Sequence, residues 1–170
     1  MEKIYDLFLF MGQSNMAGRG ITSPQWPEPA PKAASGAGYE YRAISDPEQL
    51  HEIEEPFGAA ENHPGGIFEP GMKTGSMVTS FVNAYYAASG RSVIGVSASK
   101  GGSSIGQWQG NEDYLTDALM RLKRAQEYLK RRQMVPAHPF VLWCQGETDG
   151  DLGTSGEEYK TCFTHMLDIL

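Results

Sequence analysis

The sequence predicts an α/β fold, a parallel sheet with helices on both faces. Two observations carry that reading. Three short apolar runs, residues 4–11, 93–97 and 140–144, alternate with three stretches of helical periodicity, 76–89, 114–132 and 157–170. Alternation of strand and helix is the pattern of a parallel sheet with crossover connections. Each apolar run also ends in a polar, glycine-bearing loop, and parallel strands place such loops on one edge of the sheet. Open α/β sheets hold their ligand crevice there, beyond the carboxyl ends of the strands.

The first strand is a continuous apolar run, Leu7-Phe8-Leu9-Phe10-Met11, that stops at Gly12, as expected of a strand buried on both faces. Residues 17–20 are expected to open a short helix or turn. From Ile21 to Gly71 periodicity is lost and eight of the ten prolines occur, so this segment reads as mainly loop. A loop of that length inside a compact domain is usually functional or mobile. Its aromatic residues, Trp26, Tyr39, Tyr41, Phe57, His63 and Phe68, are mostly expected to pin it to the core, the other reading being that some line a sugar-binding cleft. Residues 76–89 carry Met77, Phe81, Ala84, Tyr85 and Ala88 at helical spacing, with Gly90 as the stop. After the second strand comes the loop Ser99-Lys100-Gly101-Gly102-Ser103-Ser104, and Trp108 shortly beyond. Leu115, Ala118, Leu119, Leu122, Ala125 and Leu129 then keep a 3.6-residue period through a long helix. The third strand runs into Gln145-Gly146-Glu147-Thr148-Asp149-Gly150, and a last helix follows.

Length and charge narrow the function. With 170 residues the first expectation is a single domain, and 40% hydrophobic content is enough for a core. A net charge of −7 leaves no basic stripe to neutralise phosphates, which argues against nucleic acid as a partner. The one basic cluster, Lys123-Arg124 to Lys130-Arg131-Arg132, reads as a solvated helix face. Cys144 and Cys162 offer neither a disulfide framework nor metal-ligand spacing, so no metal site or cofactor is expected and both read as buried free thiols. No apolar run is long enough to span a bilayer, and Asp6 interrupts the N-terminal run, so neither a membrane partner nor a secretory leader is expected and the chain reads as soluble.

Ser14, just past the first strand, is the candidate nucleophile. A serine hydroxyl becomes nucleophilic when a base takes its proton. The oxyanion it generates needs donors arranged in advance. The backbone N–H of Ser14, a glycine N–H from the second loop and the side-chain amide of Gln145 could supply them. The bland reading, that Ser14 caps the following helix, fits a lone serine; three converging loops favour the nucleophile. Glu147 and Asp149 stand two apart on one short loop, which suits hydrogen bonding within the loop better than a paired-carboxylate glycosidase site. Arg19 could meet an acidic sugar but reads better as a surface ion-pair residue.

At these residues the chain resembles a known family. Gly12-Gln13-Ser14-Asn15-Met16-Ala17-Gly18 resembles the first block of the SGNH (GDSL-like) hydrolases, in the version used by sialate O-acetylesterases and acetyl xylan esterases (carbohydrate esterase family 6). Trp143-Cys144-Gln145-Gly146-Glu147-Thr148-Asp149 resembles that family's Trp-x-Gln-Gly-Glu-x-Asp block, and the Gly101-Gly102 loop with Trp108 resembles its glycine block. The resemblance implies a three-layer α/β/α sandwich and removal of acetyl groups from acetylated carbohydrates. Carried over residue by residue, Ser14 is the nucleophile, Gly101 the oxyanion glycine with Gly102 as alternative, and Gln145 the third donor. Glu147 and Asp149 orient the base or hold the loop, and Gln13, Asn15, Ser103 and Trp108 support the site or the substrate.

The family's catalytic histidine belongs to an Asp-x-x-His segment after a further strand, and residues 1–170 contain no such segment. The domain is therefore expected to be C-terminally incomplete. None of the four histidines fits the role. His138 precedes a strand on the opposite edge, His165 falls within a helix, and His51 and His63 sit in the long segment. The alternative function is a non-catalytic carbohydrate-binding module or inactive fragment of the same fold.

Overall fold

The computed structural model describes residues 4–21, 31–110 and 113–170. Trp26 lies outside the described residues. Five strands form one sheet: β1 (Tyr5–Gly12), β2 (Gly38–Arg42), β3 (Asp46–Glu52), β4 (Ser92–Ser99) and β5 (Pro139–Cys144), in the order β3-β2-β4-β1-β5. All neighbouring pairs are parallel except the β2–β3 hairpin, which is antiparallel. The helices are α1 (Ser14–Ala17), α2 (Val78–Ser89), α3 (Asp113–Arg131), α4 (Glu147–Leu152) and α5 (Gly156–Ile169), with a 3-10 turn at Ile105–Trp108. No helix among the described residues is long and apolar enough to cross a membrane.

Alternation along β1 divides its side chains between two cores. Leu7, Leu9 and Met11 join Ile94, Val96 and Ala98 of β4 beneath Leu115, Ala118, Ala125 and Leu129 of α3 and Met166 of α5. Phe8 and Phe10 point the other way, into Met16 of α1, Phe57, and Val78 and Val82 of α2. The result is the α/β/α layering expected from the alternating elements. The apolar face of α2 is turned from the expected one: Val78 and Val82 are buried, while Met77, Ala84 and Ala88 are exposed. The valines and Phe81 meet Phe8 and Phe10, with Phe81 edge-on to both rings. Gly90 ends α2 in the left-handed conformation at φ 69°, as its place in the sequence predicts.

Residues 31–71 are more ordered than their prolines suggest. They contribute β2, which pairs onto β4 through Gly38↔Val93, Tyr39↔Ile94 and Glu40↔Gly95, and β3, which pairs onto β2. Pro47 is accommodated because β3 is an edge strand. Tyr41 and Phe57 are buried, in line with aromatics pinning the segment, and Phe68 is exposed. The basic cluster at 123–132 stays exposed, as a solvated face, while Arg124 donates to the Ala43 carbonyl and Arg132 to that of Glu48. Both cysteines are free and only partly buried.

Beyond Gly95, β2 leaves β4, and the open edge of β4 is satisfied by a buried guanidinium. Arg121 is fully buried; it donates to the carbonyls of Ser97 (2.9 Å), Glu61 (3.2 Å) and Ile67 (3.4 Å) and pairs with Asp117 at 2.9 Å. Lys73 enters the same region and donates to Ser97 Oγ at 2.8 Å.

Candidate active site

Register brings the three loops together. Gly12 is paired with Ser99 on one side and with Cys144 on the other, so β1, β4 and β5 finish at the same level. Gly12 has φ 137°, and an added Cβ would lie 2.0 Å from the Cys144 carbonyl oxygen, so only glycine fits this crossing of strands. Gln13 N–H then donates to Cys144 O, and Lys100 N–H to Gly12 O, each at 2.9 Å.

Ser14 is the first residue of the four-residue helix α1; Gln13 holds the N-cap position, with no side-chain capping bond. The capping role is thereby removed for Ser14, and among the described residues its hydroxyl has no hydrogen-bond partner. Met16 N–H and Ala17 N–H both turn back to Gln13 O, and among the described residues the Ser14 N–H is open at the helix head. Neighbouring Asn15 is exposed and donates through Nδ2 to Glu147 Oε1.

Gln13, Gln145 and Asp149 lock the first and third loops from beneath. Gln13 Oε1 accepts from Thr148 N–H (3.2 Å), Gly146 N–H (3.4 Å) and Gln145 Nε2 (3.2 Å). Gln145 Nε2 also faces Asp149 Oδ2 at 2.5 Å and the Ser103 carbonyl at 2.8 Å. Tyr159 O–H donates to Gln145 Oε1 at 2.8 Å, which fixes which end of the amide points where. An amide has two N–H bonds, and three acceptors surround this one. Gln145 therefore reaches the site but spends its donors on the loops; the expected third oxyanion donor is engaged inside the scaffold.

The two carboxylates of the third loop separate cleanly. Asp149 is buried and also accepts from Ile105 N–H (2.8 Å) and Thr154 Oγ1 (3.1 Å). Glu147 is exposed beside Asn15. Burial pushes the neighbouring Cys144 thiol up, and the Glu147 charge adds to it. Trp108 and Ser103 are buried supports: Trp108 Nε1 donates to Ser103 Oγ at 2.9 Å and its ring meets Trp143 edge-on. In the second loop, Gly101 N–H donates to Glu69 Oε1 at 2.9 Å, and the same oxygen takes Arg19 Nη2 at 2.5 Å. Glu69 and Tyr159 had no sequence signal: one lies in the proline-rich segment, the other on a helix face.

None of the four histidines stands at Ser14. His51 pairs with Asp46 at 3.1 Å, His63 with Asp117 at 3.0 Å, His165 with Gln109 at 2.8 Å, and His138 with Asp6 at 3.2 Å. Asp6 is at the start of β1, so His138 is on the opposite edge, as its sequence position predicts. Burial pushes the Asp6 carboxyl up, but hydrogen bonds from Tyr85, His138 and Arg91 outweigh it and hold the carboxyl below its ordinary value.

The family model for carbohydrate esterases, sialic acid-specific acetylesterase, matches residues 4–170, which include all three strand-end loops. The chain belongs to this carbohydrate esterase family. A solved Arabidopsis thaliana structure superposes on this esterase-family chain with a TM-score of 0.72 at 21% identity, covering 96% of the chain and 66% of the plant protein. The crystal structure of NanS gives 0.60 at 17% identity, covering 98% of the chain and 61% of NanS. The chain thus spans less than two thirds of either structure, and at these identities the likeness is one of fold. No curated protein matches it at a significant level.

Proposed function

We propose that this chain carries the nucleophile half of a serine carbohydrate O-acetylesterase that works through an acyl-enzyme. The observation that carries the reading is Ser14: among the described residues its hydroxyl is unpartnered, at the head of α1, where three loops meet in register. Ser14 Oγ attacks the acetyl carbonyl and forms the C–O bond. The carbonyl electron pair moves onto oxygen, held by the open Ser14 N–H and a glycine N–H of the second loop. The sugar oxygen leaves with a proton, and water then releases acetate and restores Ser14. Gln13, Gln145 and Asp149 hold the first and third loops at their spacing. Glu147, exposed and tied to the nucleophile loop by Asn15, is the carboxylate placed to orient the base. In the family resemblance that base is a histidine of an Asp-x-x-His segment beyond the third block.

The substrate class is an acetylated sugar, of the sialic acid or xylan type. The Arg19–Glu69 pair leaves Arg19 in an ion pair instead of free for an acidic sugar, in line with its sequence reading. A second reading, a non-catalytic sugar-binding module, is favoured by one observation: every histidine is held away from Ser14. Acetate release from O-acetylated sialic acid and from acetylated xylan, compared between the native chain and Ser14→Ala, separates the two. Release that disappears in the variant supports the esterase. Release untouched by the substitution sinks it, and sugar binding without release even when imidazole is supplied in place of the histidine favours the second reading.

A further inference from the structure

The second loop presents two successive glycines, and their surroundings are opposite. An added Cβ at Gly101 would lie 2.2 Å from Arg19 Nη2 and 2.8 Å from Glu69 Oε1. The same position at Gly102 has nothing within 4 Å, and Gly102 adopts φ 70°, a left-handed conformation natural to glycine. Gly101 is covered and its N–H is taken; Gly102 opens onto free space.

Glu69 covers Gly101. Its side chain is 4% exposed and lies beneath Arg19 and Lys100. Its Oε1 accepts from Gly101 N–H and Arg19 Nη2, with Lys100 Nζ at 3.6 Å. Its own N–H donates to Asn62 Oδ1 at 2.8 Å, and Arg19 also reaches the Met72 carbonyl, so residues 69–72 bind the nucleophile loop to the glycine loop. Lys100 Nζ donates to the Gly101 carbonyl at 3.3 Å. A trans peptide is planar, with its C=O and N–H pointing in opposite directions. Anchoring the Gly101 carbonyl on Lys100 therefore aims the Gly102 N–H away from that ammonium.

We propose that Glu69 is a positioning residue of the glycine loop, holding the Gly101 N–H and the Arg19 guanidinium so that the Gly102 N–H is the donor presented to the reacting acyl oxygen. This rests on the esterase reading of Ser14. A carboxylate on the Gly101 N–H repels a developing oxyanion there, so charge as well as geometry moves the role to Gly102. Sequence resemblance pointed to Gly101 first; the fold reverses the order of the pair.

The test uses the full chain labelled with 15N-glycine and a fluorophosphonate that phosphonylates serine, its phosphonyl oxygen standing in for the oxyanion. The Gly102 amide proton should move downfield on adduct formation by more than any other glycine, while Gly101 keeps its shift. In Glu69→Gln the Gly101 amide should change before labelling, and labelling of Ser14 should slow at least about tenfold, a fraction of the effect of deleting one oxyanion donor. Unchanged positions of the remote glycine amides show that the variant is folded, and the native-chain comparison needs no variant. If Ser14 labels and Gly101 is the amide that responds, or if Glu69→Gln labels at the native rate, the positioning role is wrong while the nucleophile stands. If Ser14 takes no probe even when imidazole is supplied in place of the histidine, the esterase reading fails and this inference with it.

Discussion

Replacing Asp149 by alanine removes the acceptor on which the third loop is built. Its carboxylate accepts from Gln145 Nε2 at 2.5 Å, Ile105 N–H at 2.8 Å and Thr154 Oγ1 at 3.1 Å, and the residue is 4% exposed. Ile105 is itself buried, so its N–H would be left without a partner, which costs about 1–3 kcal/mol. The bond from Gln145 is to a charged acceptor and contributes about 1.5–3 kcal/mol. Thr154 is half-buried and adds less, and the losses share one site, so about 4 kcal/mol is expected in total. For a chain of this size that lowers Tm by roughly 8–16 °C. Urea unfolding followed by tryptophan fluorescence reads the change directly, with an unaltered slope showing that the unfolding reaction is the same. Asp149→Asn keeps an acceptor oxygen and should lose about half as much. Fluorophosphonate labelling of Ser14 should slow in Asp149→Ala even at temperatures where the variant is folded, because Gln145 loses its anchor. A midpoint within about 1 kcal/mol of the native chain would show that the loops stand without the carboxylate.

Two further outcomes test the polar plug on the open edge of β4. Arg121→Met leaves the buried Asp117 charge without its cation and takes the guanidinium donor from the Ser97 and Glu61 carbonyls, and should destabilise the chain by about 3–5 kcal/mol in urea, whereas Arg121→Met with Asp117→Leu should recover part of that loss; a single variant as stable as the native chain refutes the role. Lys73 carries a pH signature: burial, with the Arg121 charge added, pushes its ammonium from 10.5 down to about 8 against the opposing charges of Glu69, Glu40 and Glu61. Between pH 8 and pH 10.5 the unfolded chain then binds the extra proton, so the native chain should gain about 3 kcal/mol over Lys73→Met as pH rises through that window. The comparison with the variant cancels Cys144, Tyr41, Tyr85 and Tyr159, whose raised values act in the opposite direction. A flat difference across the window would refute it.

Much of this molecule is legible in the chain because the responsible forces are local. Residues 5–12, 92–99 and 139–144 are apolar or small enough to be strands, and each is followed by residues that stop a ladder. Helix α3 is found within a residue of its predicted start because leucine and alanine recur at the helical period. The convergence of Ser14, the Gly101-Gly102 pair and the Gln145 loop also follows, since parallel strands must finish on one edge. What local pattern misses is polar burial. Asp117 and Arg121 sit on the inner face of α3, where periodicity expects apolar residues, because the β4 carbonyl edge opposite them needs donors.

The sequence by itself determined the sheet-and-helix layering and put a serine at the point where three loops meet, since hydrophobic period and glycine punctuation act over a few residues. Only the tertiary structure decided which loop atoms remain open. Strand β2 forms because β4 offers an edge more than fifty residues downstream and β3 because β2 then offers its own, and no run in their own residues marks them. Glu69 covers Gly101, and Gln145 turns inward to Asp149, because hydrogen bonds and ion pairs are settled between groups that meet only on folding. A residue's identity states what it can donate or accept; the fold states which of those capacities is left over for a substrate.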